Sequence, residues 1–205
     1  MIYISDFIKT FTDHFETQQQ EPWQMISNIS SIVSDQIAKL NDDFIVKDNV
    51  AIHRTAVVEQ NVMIKPPAII NADCFIGANA YLRGGIYLAA HVKIGTGCEI
   101  KSSFVFEGSA VAHFNFIGDS MIGSNVNFEA GSITANHFNE RIDKEITVFF
   151  NGKSIKTGAT KFGALVADNC KIGANAVLSP GTILLPGTIV KRLELIDQSN
   201  NAPNP

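Results

Sequence analysis

Charged side chains are scarce in this chain. They make up 18% of its 205 residues, against roughly 25% in an average domain. The 16 Lys and Arg are outnumbered by 20 Asp and Glu, giving a formal net charge of -4. No Lys/Arg run occurs, so neither nucleic acid nor an anionic membrane is expected as a partner. No stretch approaches the roughly 18 apolar residues of a membrane-spanning helix. Met1 to Thr10 lacks a basic leader, and Asp6 and Lys9 interrupt its apolar residues, so it does not read as a secretory signal. A cytoplasmic protein is the expectation. The three cysteines, Cys74, Cys98 and Cys170, are far apart and without CxxC spacing, which suits neither a disulfide framework nor a zinc site. Disorder is excluded as well, because 45% of the residues are hydrophobic.

What is abundant is a period. From Ile52 a large side chain recurs every six residues: Val58, Ile64, Ile70, Ile76, Leu82, Leu88, Ile94, Ile100 and Phe106. The rule weakens at Ala112, shifts register to Ile117, Ile122 and Phe128, and returns as Val166, Ile172, Leu178, Leu184 and Val190. A second, mostly small residue stands two positions before most of these: Ala68, Cys74, Ala80, Val92, Cys98 and, later, Cys170 and Ala176. Residues i and i-2 share one face of a strand, so both point inward. Between the pairs lie triplets such as Asn71-Ala72-Asp73, Gly95-Thr96-Gly97 and Gly173-Ala174-Asn175, whose Gly, Asn and Asp tolerate positive φ. Short strand, turn, short strand, turn is the signature of an all-β parallel β-helix.

Two segments break the period. Residues 1–45 read as a helical cap. Phe7, Ile8, Phe11 and Phe15, then Ile26, Ile29, Val33, Ile37 and Leu40 after Pro22, fall at helical spacing. Such a hairpin is expected on the end of the stack, where an open coil exposes unpaired edges. The β-helix is expected over 46–195. It is interrupted at about 137–161 by an excursion in which Ile146, Val148 and Phe150 alternate before the turn Asn151-Gly152. An insertion of this kind in a repeating scaffold is usually functional or an interaction arm. Residues 196–205 read as a disordered tail.

The run Ala112-His113-Phe114-Asn115-Phe116-Ile117-Gly118-Asp119 carries a specific resemblance. So do Ile122-Gly123-Ser124-Asn125-Val126-Asn127 and Ala130-Gly131-Ser132-Ile133-Thr134-Ala135-Asn136. They resemble the acetyltransferase domain of bifunctional N-acetylglucosamine-1-phosphate uridyltransferases. The likeness is closer still to the C-terminal domain of archaeal sugar-1-phosphate nucleotidylyltransferases. Lys161–Val166 and Ile172–Gly181 extend it, so that it covers about 50–195. No Gly-rich nucleotide loop with a following Arg occurs in the chain, so uridylyl transfer is not expected of it. The resemblance implies a left-handed, three-sided β-helix, acetyl-CoA as acyl donor, an amino-sugar phosphate as acceptor and a homotrimer with sites between subunits. A separate nucleotidyltransferase is a candidate partner.

The same resemblance assigns residues. His113 matches the catalytic base, a task that a neutral imidazole suits near pH 7. Glu99 matches the carboxylate that orients it, and Asn136 a group contacting the acceptor. Arg83 and Lys101 match the sugar-phosphate contacts, two cations on adjacent coils. Asn127 matches a further acceptor contact, and Lys144 matches a lysine used with acceptor or coenzyme across a two-residue length difference. For the coenzyme, Ala130 and the turn Gly173-Ala174 match backbone contacts to the pantetheine arm, and Lys191-Arg192 can meet phosphates.

Three departures stand out. Phe116 replaces the family's tyrosine, Glu129 replaces a glycine beside the pantetheine path, and His137 stands where bacterial enzymes carry tyrosine. They keep a second expectation alive, a non-catalytic β-helix that binds sugar nucleotides or assembles with others. No metal is expected. His91, His113 and His137 are spaced by 22 and 24 residues, which fits neither a zinc-ligand pattern nor an 18-residue coil.

Overall fold

In the computed structural model, which describes residues 1–15 and 20–198, short strands stack in parallel from one coil to the next. The expected tail from 199 onward lies outside the described residues. Leu195–Ile196 is still a strand, paired with Val177–Leu178. Three faces run the length of the stack. The second face is a seven-stranded parallel sheet. The first and third are joined, because Tyr81–Leu88 and Glu99–Val105 run on through the corner between them. The result is a left-handed β-helix of hexapeptide repeats.

The core is built from vertical columns of like residues. Ile52, Ile70, Leu88, Val105, Ile122, Val166 and Leu184 stack on the first face. Ile76, Ile94, Val111, Phe128, Ile172 and Val190 stack on the second. Full burial of each such side chain contributes about 1.5–3 kcal/mol. The slip in the period comes earlier than the sequence suggests. Leu82 still pairs with Ile100, but Leu88 pairs with Val105. Phe106 therefore does not enter the inward column. The corner at Ser102, with φ of 44°, is one residue shorter than Arg83-Gly84-Gly85-Ile86 one coil below, and every later side chain follows.

After the slip the small inward position is polar on several strands, although Val126, Ala164, Cys170 and Ala176 keep it apolar on others. Ser103, Ser109, Asn115, Ser120 and Ser132 are buried at that position. Each is satisfied: Asn115 donates to Glu129 O at 2.7 Å and to Ser132 Oγ at 2.6 Å, and Ser109 donates to Gly123 O at 2.6 Å. These bonds tie consecutive coils together where the chain makes its turns.

The helical segment comprises α1 (Ile4–Phe7), α2 (Phe11–His14), α3 (Pro22–Ser27) and α4 (Ile29–Ile37). Pro22 and a Glu21/Gln24 capping box start α3. The segment lies along the flank of the solenoid and does not sit on its end. The outward side chains of the first face, Ile69, Tyr87, Phe104, Met121, Leu165 and Ile183, are all buried. The Phe15 ring stands 5.0 Å from Tyr87 and 5.2 Å from Phe104, and Phe106 joins them from the corner. A strand apolar on both faces needs a cover on each, and α1–α4 supply the outer one. The end of the stack is closed differently. Strand β1 (Phe44–Lys47) folds back antiparallel onto β2 (Val50–His53), the first strand of the coil.

The excursion carries a hairpin, Thr147–Phe150 against Lys153–Lys156. Asn151 and Gly152 both have positive φ, the geometry that a two-residue turn of this kind requires. Phe150 meets Phe7 at 5.6 Å, so the excursion and the helical segment share one cover. No helix among the described residues is long and apolar enough to cross a membrane.

Candidate functional site

One corner of the prism, between the second and third faces, gathers several residues named above into a vertical column. Backbone hydrogen bonds link its successive turns. Phe114 N donates to Thr96 O, Gly131 N to His113 O, Asn175 N to Ala130 O, and Leu193 N to Ala174 O. His113, Ala130, Ala174 and Arg192 are therefore equivalent positions on successive coils. His113 is exposed and lies over Gly95 of the coil below, where an added Cβ would stand 3.2 Å from its Nδ1. Phe114, in left-handed backbone and 70% exposed, covers the neighbouring Gly97.

The third face runs from this corner, two or three residues wide, or roughly 7–10 Å. Glu99 sits at its near edge and pairs with Phe116 of the next coil. Its carboxylate accepts from Arg83 Nε at 2.7 Å and makes no hydrogen bond to His113, so the expected base-orienting bond is not formed in this arrangement. Lys101 is at the far edge, paired in register with both Arg83 and Gly118. Its ammonium contacts Asp119, which also accepts the side-chain amide of Asn136. Asp119 and Asn136 are nearly fully buried, and Lys101 is only 12% exposed. Arg83 and Lys101 stand side by side in register on adjacent coils, and each is paired with a carboxylate, Glu99 and Asp119 respectively.

Asp119 was not among the residues singled out from sequence, although the Gly-Asp pair closing the His113 run was visible there. It sits in a turn, with φ of 46°, where aspartate is common whatever its role. Next to it, His137 Nδ1 lies 3.2 Å from Asn136 Oδ1. Lys144 stays within the excursion, donating to Phe138 O at 3.3 Å and Asn139 O at 3.4 Å, and does not reach the Asp119 cluster.

Asn127 is displaced from the acceptor group. It faces out from the second face and lines a cleft of about 500 Å³ together with Glu129, Lys171, Gly173, Ile189, Lys191 and Arg192. Of the expected coenzyme residues, Gly173, Lys191 and Arg192 line this cleft, while Ala130 and Ala174 are not part of its lining. Glu129 crosses the cleft. Its Oε2 accepts from Ala174 N at 2.9 Å and from Arg192 Nε at 2.7 Å, and Oε1 accepts from Arg192 Nη2 at 2.6 Å. Those bonds hold the Glu129 carboxyl below its usual range and raise the Arg192 guanidinium further.

The cysteines are not chemical groups of this site. All three are buried at the small inward position. Burial pushes the Cys74 thiol up to about 12 and raises Cys98 and Cys170 as well, so thiolate nucleophiles are absent near neutral pH. Among the described residues no group of three or more His, Cys, Asp or Glu could hold a metal ion.

The family described as the GMPPB C-terminal domain matches residues 61–158. Bifunctional protein GlmU of Methanococcus maripaludis is 38% identical in one strain over 86% of this chain, and 44% identical in another over the same share. Over most of its length, this chain resembles GlmU. It spans 43% of the length of those GlmU relatives. A bifunctional sugar-1-phosphate nucleotidylyltransferase/acetyltransferase of Sulfurisphaera tokodaii is 41% identical over 43% of this chain and 22% of its own length. Among solved structures, the acetyltransferase domain of PglB from Neisseria gonorrhoeae is 13% identical, with a TM-score of 0.29, covering 88% of this chain and 66% of that one. A perosamine N-acetyltransferase from Caulobacter crescentus, in complex with CoA and GDP-perosamine, is 21% identical, with a TM-score of 0.24, covering 53% and 56%.

Proposed function

We propose that this GlmU-like chain transfers an acetyl group from acetyl-CoA to the amine of an amino-sugar-1-phosphate. The observation that carries this reading is the order of groups around one corner. The donor positions Ala130, Ala174 and Arg192 share a column with His113, and the Arg83/Lys101 pair lies across the third face from it. A donor along the column and an acceptor across the face would meet at His113.

The chemistry is an amide synthesis. The amine nitrogen attacks the thioester carbon, the C–S bond breaks, and the sulfur leaves as coenzyme thiol. His113 takes the proton that the nitrogen must lose and delivers a proton to the departing sulfur. Arg83 and Lys101 take the sugar phosphate by exchanging their carboxylate partners for it. Release of Glu99 from Arg83 frees that carboxylate to turn toward the imidazole and fix its tautomer. Asn136, steadied by Asp119, positions the acceptor.

Assembly completes the reading. Met63, Ile133 and Leu195 on the third face, with Phe114 and Leu193 at its corner, are exposed apolar residues. They suit contact between copies, and the homotrimer implied by the resemblance would cover them. Light scattering at three times 22.3 kDa supports it, and a monomer removes the intersubunit site.

One assay tests the activity: thiol release from acetyl-CoA with glucosamine-1-phosphate or galactosamine-1-phosphate, for wild type and His113→Ala. Turnover that disappears in the variant supports the assignment. No turnover with either acceptor sinks the substrate class, and turnover that survives removes His113 as base. A second reading, a β-helix that binds sugar nucleotides without acyl transfer, is favoured by one observation: Glu129 already occupies the Ala174 N–H. Ligand binding without thiol release in the same assay selects it.

A further inference from the structure

The cleft on the second face holds a feature that the acetyl-transfer reading does not require. At the turn position of Glu129 other coils at this corner carry Gly77, Gly95, Ala112, Gly173 and Lys191. Those glycines have no room for a side chain: a Cβ at Gly95 would lie 1.4 Å from Ala112 O, and one at Gly173 would lie 2.4 Å from Arg192 N. Glu129 has a side chain there and lays it up the outside of the column, past Ala174 on the next coil to Arg192 on the one beyond. The carboxylate is fully engaged along the way by one backbone N–H and two guanidinium nitrogens.

This strut occupies two groups that an acyl-CoA would use. The Ala174 N–H is a donor suited to an amide carbonyl, such as those of a pantetheine arm, and Arg192 with Lys171 and Lys191 is suited to phosphate. While the strut is in place, both are spoken for, and the negative charge of Glu129 faces any incoming phosphate. The pair is at the surface, with Arg192 71% and Glu129 36% exposed, so it can be exchanged at small cost.

We propose that Glu129 and Arg192 form a displaceable latch across the donor cleft, which acyl-CoA opens by taking the Ala174 N–H and the Arg192 guanidinium from Glu129. This rests on the reading of the cleft as a donor site. Because each bond in the latch is traded for a bond to the ligand, the latch weakens donor affinity without blocking the site. It also favours donors that bring both an amide and an anionic group, since neither alone replaces all three bonds to Glu129.

Calorimetric titration with CoA, acyl group absent, tests the latch apart from turnover. Glu129→Gly is expected to bind CoA more tightly than wild type by up to about fivefold, the scale of an exposed ion pair. Glu129→Gln, which keeps the length and drops the charge, falls between the two. The gap between wild type and Glu129→Gly is expected to narrow as KCl rises, because salt screens the pair. Circular dichroism establishes that each variant is folded. Equal or weaker binding by folded Glu129→Gly overturns the latch while leaving the donor cleft in place. CoA binding by none of the proteins overturns the latch and the donor reading together. CoA binding with the predicted ranking, but no acetyl transfer in the thiol assay, supports the latch and sinks the acetyl-transfer reading alone.

Discussion

Asp119 accepts the side-chain amide of Asn136, one coil further along, while the same carboxylate holds Lys101 of the coil before. Three coils are pinned at one buried point. Breaking a buried ion pair from one side typically costs about 3–5 kcal/mol, because the remaining charge has no partner. Asp119→Ala is expected to lose about 3 kcal/mol in urea unfolding, since Lys101 is 12% exposed and keeps some access to water. Removing both charges, as Lys101→Met with Asp119→Leu, is expected to recover most of that loss. If the single and double variants unfold alike, the cost lies in packing and not in the stranded ammonium.

The helical segment is fastened by a second carboxylate. Glu107 accepts from Thr10 Oγ1 at 2.7 Å and from Ser124 Oγ at 3.1 Å, and pairs with the His14 ring, whose other nitrogen lies 2.8 Å from Tyr87 Oη. Burial alone pushes the Glu107 carboxyl up, but the bonds from His14 and Thr10 outweigh it and hold the group down to about 2. A carboxyl depressed in the folded state lends stability above its unfolded value near 4.5, and that stability is lost as pH falls from there toward 2. Thermal melting between pH 5 and about pH 2.5 is expected to show this fall in wild type and a flatter profile in Glu107→Gln. Identical slopes would remove Glu107 from the acid response.

Gly95 has a neighbour where a side chain would go. A Cβ there would stand 1.4 Å from Ala112 O, the residue before His113. Gly95→Ala must push the coils apart at that corner and is expected to cost about 3 kcal/mol, the upper end for overpacking. Gly152→Ala, in the excursion turn, meets nothing within 4 Å and is strained only by its φ of 71°, so about 1 kcal/mol is expected. Denaturant midpoints for the two rank the contributions of coil packing and turn strain. Equal losses would contradict the close stacking at the His113 corner.

The repeat was legible because burial imposes it on every coil: one large inward side chain, one small one before it, and a turn. The Asn151-Gly152 hairpin was legible for a similar local reason, since the turn type dictates the residues. The slip at Ser102 was not. Val105 and Phe106 are adjacent and both apolar, and only the pairing of Val105 with Leu88 shows which one enters the stack. The flank position of α1–α4 was hidden too. Phe104 and Tyr87 announced a second buried face, but six-residue periodicity does not say what covers it. At the site, the motif named His113, Ala130, Ala174 and Arg192 one by one, and only the backbone bonds between coils put them in a single column. The carboxylate partners of Arg83, Lys101 and Arg192 depend on side-chain reach between coils, which spacing does not encode.

The cover on the first face leads to one more expectation. Phe15 is 5% exposed and meets Tyr87, Phe104 and Phe106 edge-on, so it anchors the segment before residue 16 to the flank. Truncating a buried phenylalanine typically costs about 3–5 kcal/mol when the whole domain must open to relieve it. A solenoid gives another route, because each coil is held mainly by its neighbours and the flank can open by itself. Phe15→Ala is therefore expected to speed hydrogen exchange by about tenfold or more across 4–14, while amides of Met121–Ile122 and Asn127–Phe128, bonded within the stack, keep their protection. Dye binding to the uncovered Tyr87 and Phe104 should rise in parallel. Exchange that accelerates evenly through flank and coils would mean that helices and solenoid unfold as one unit.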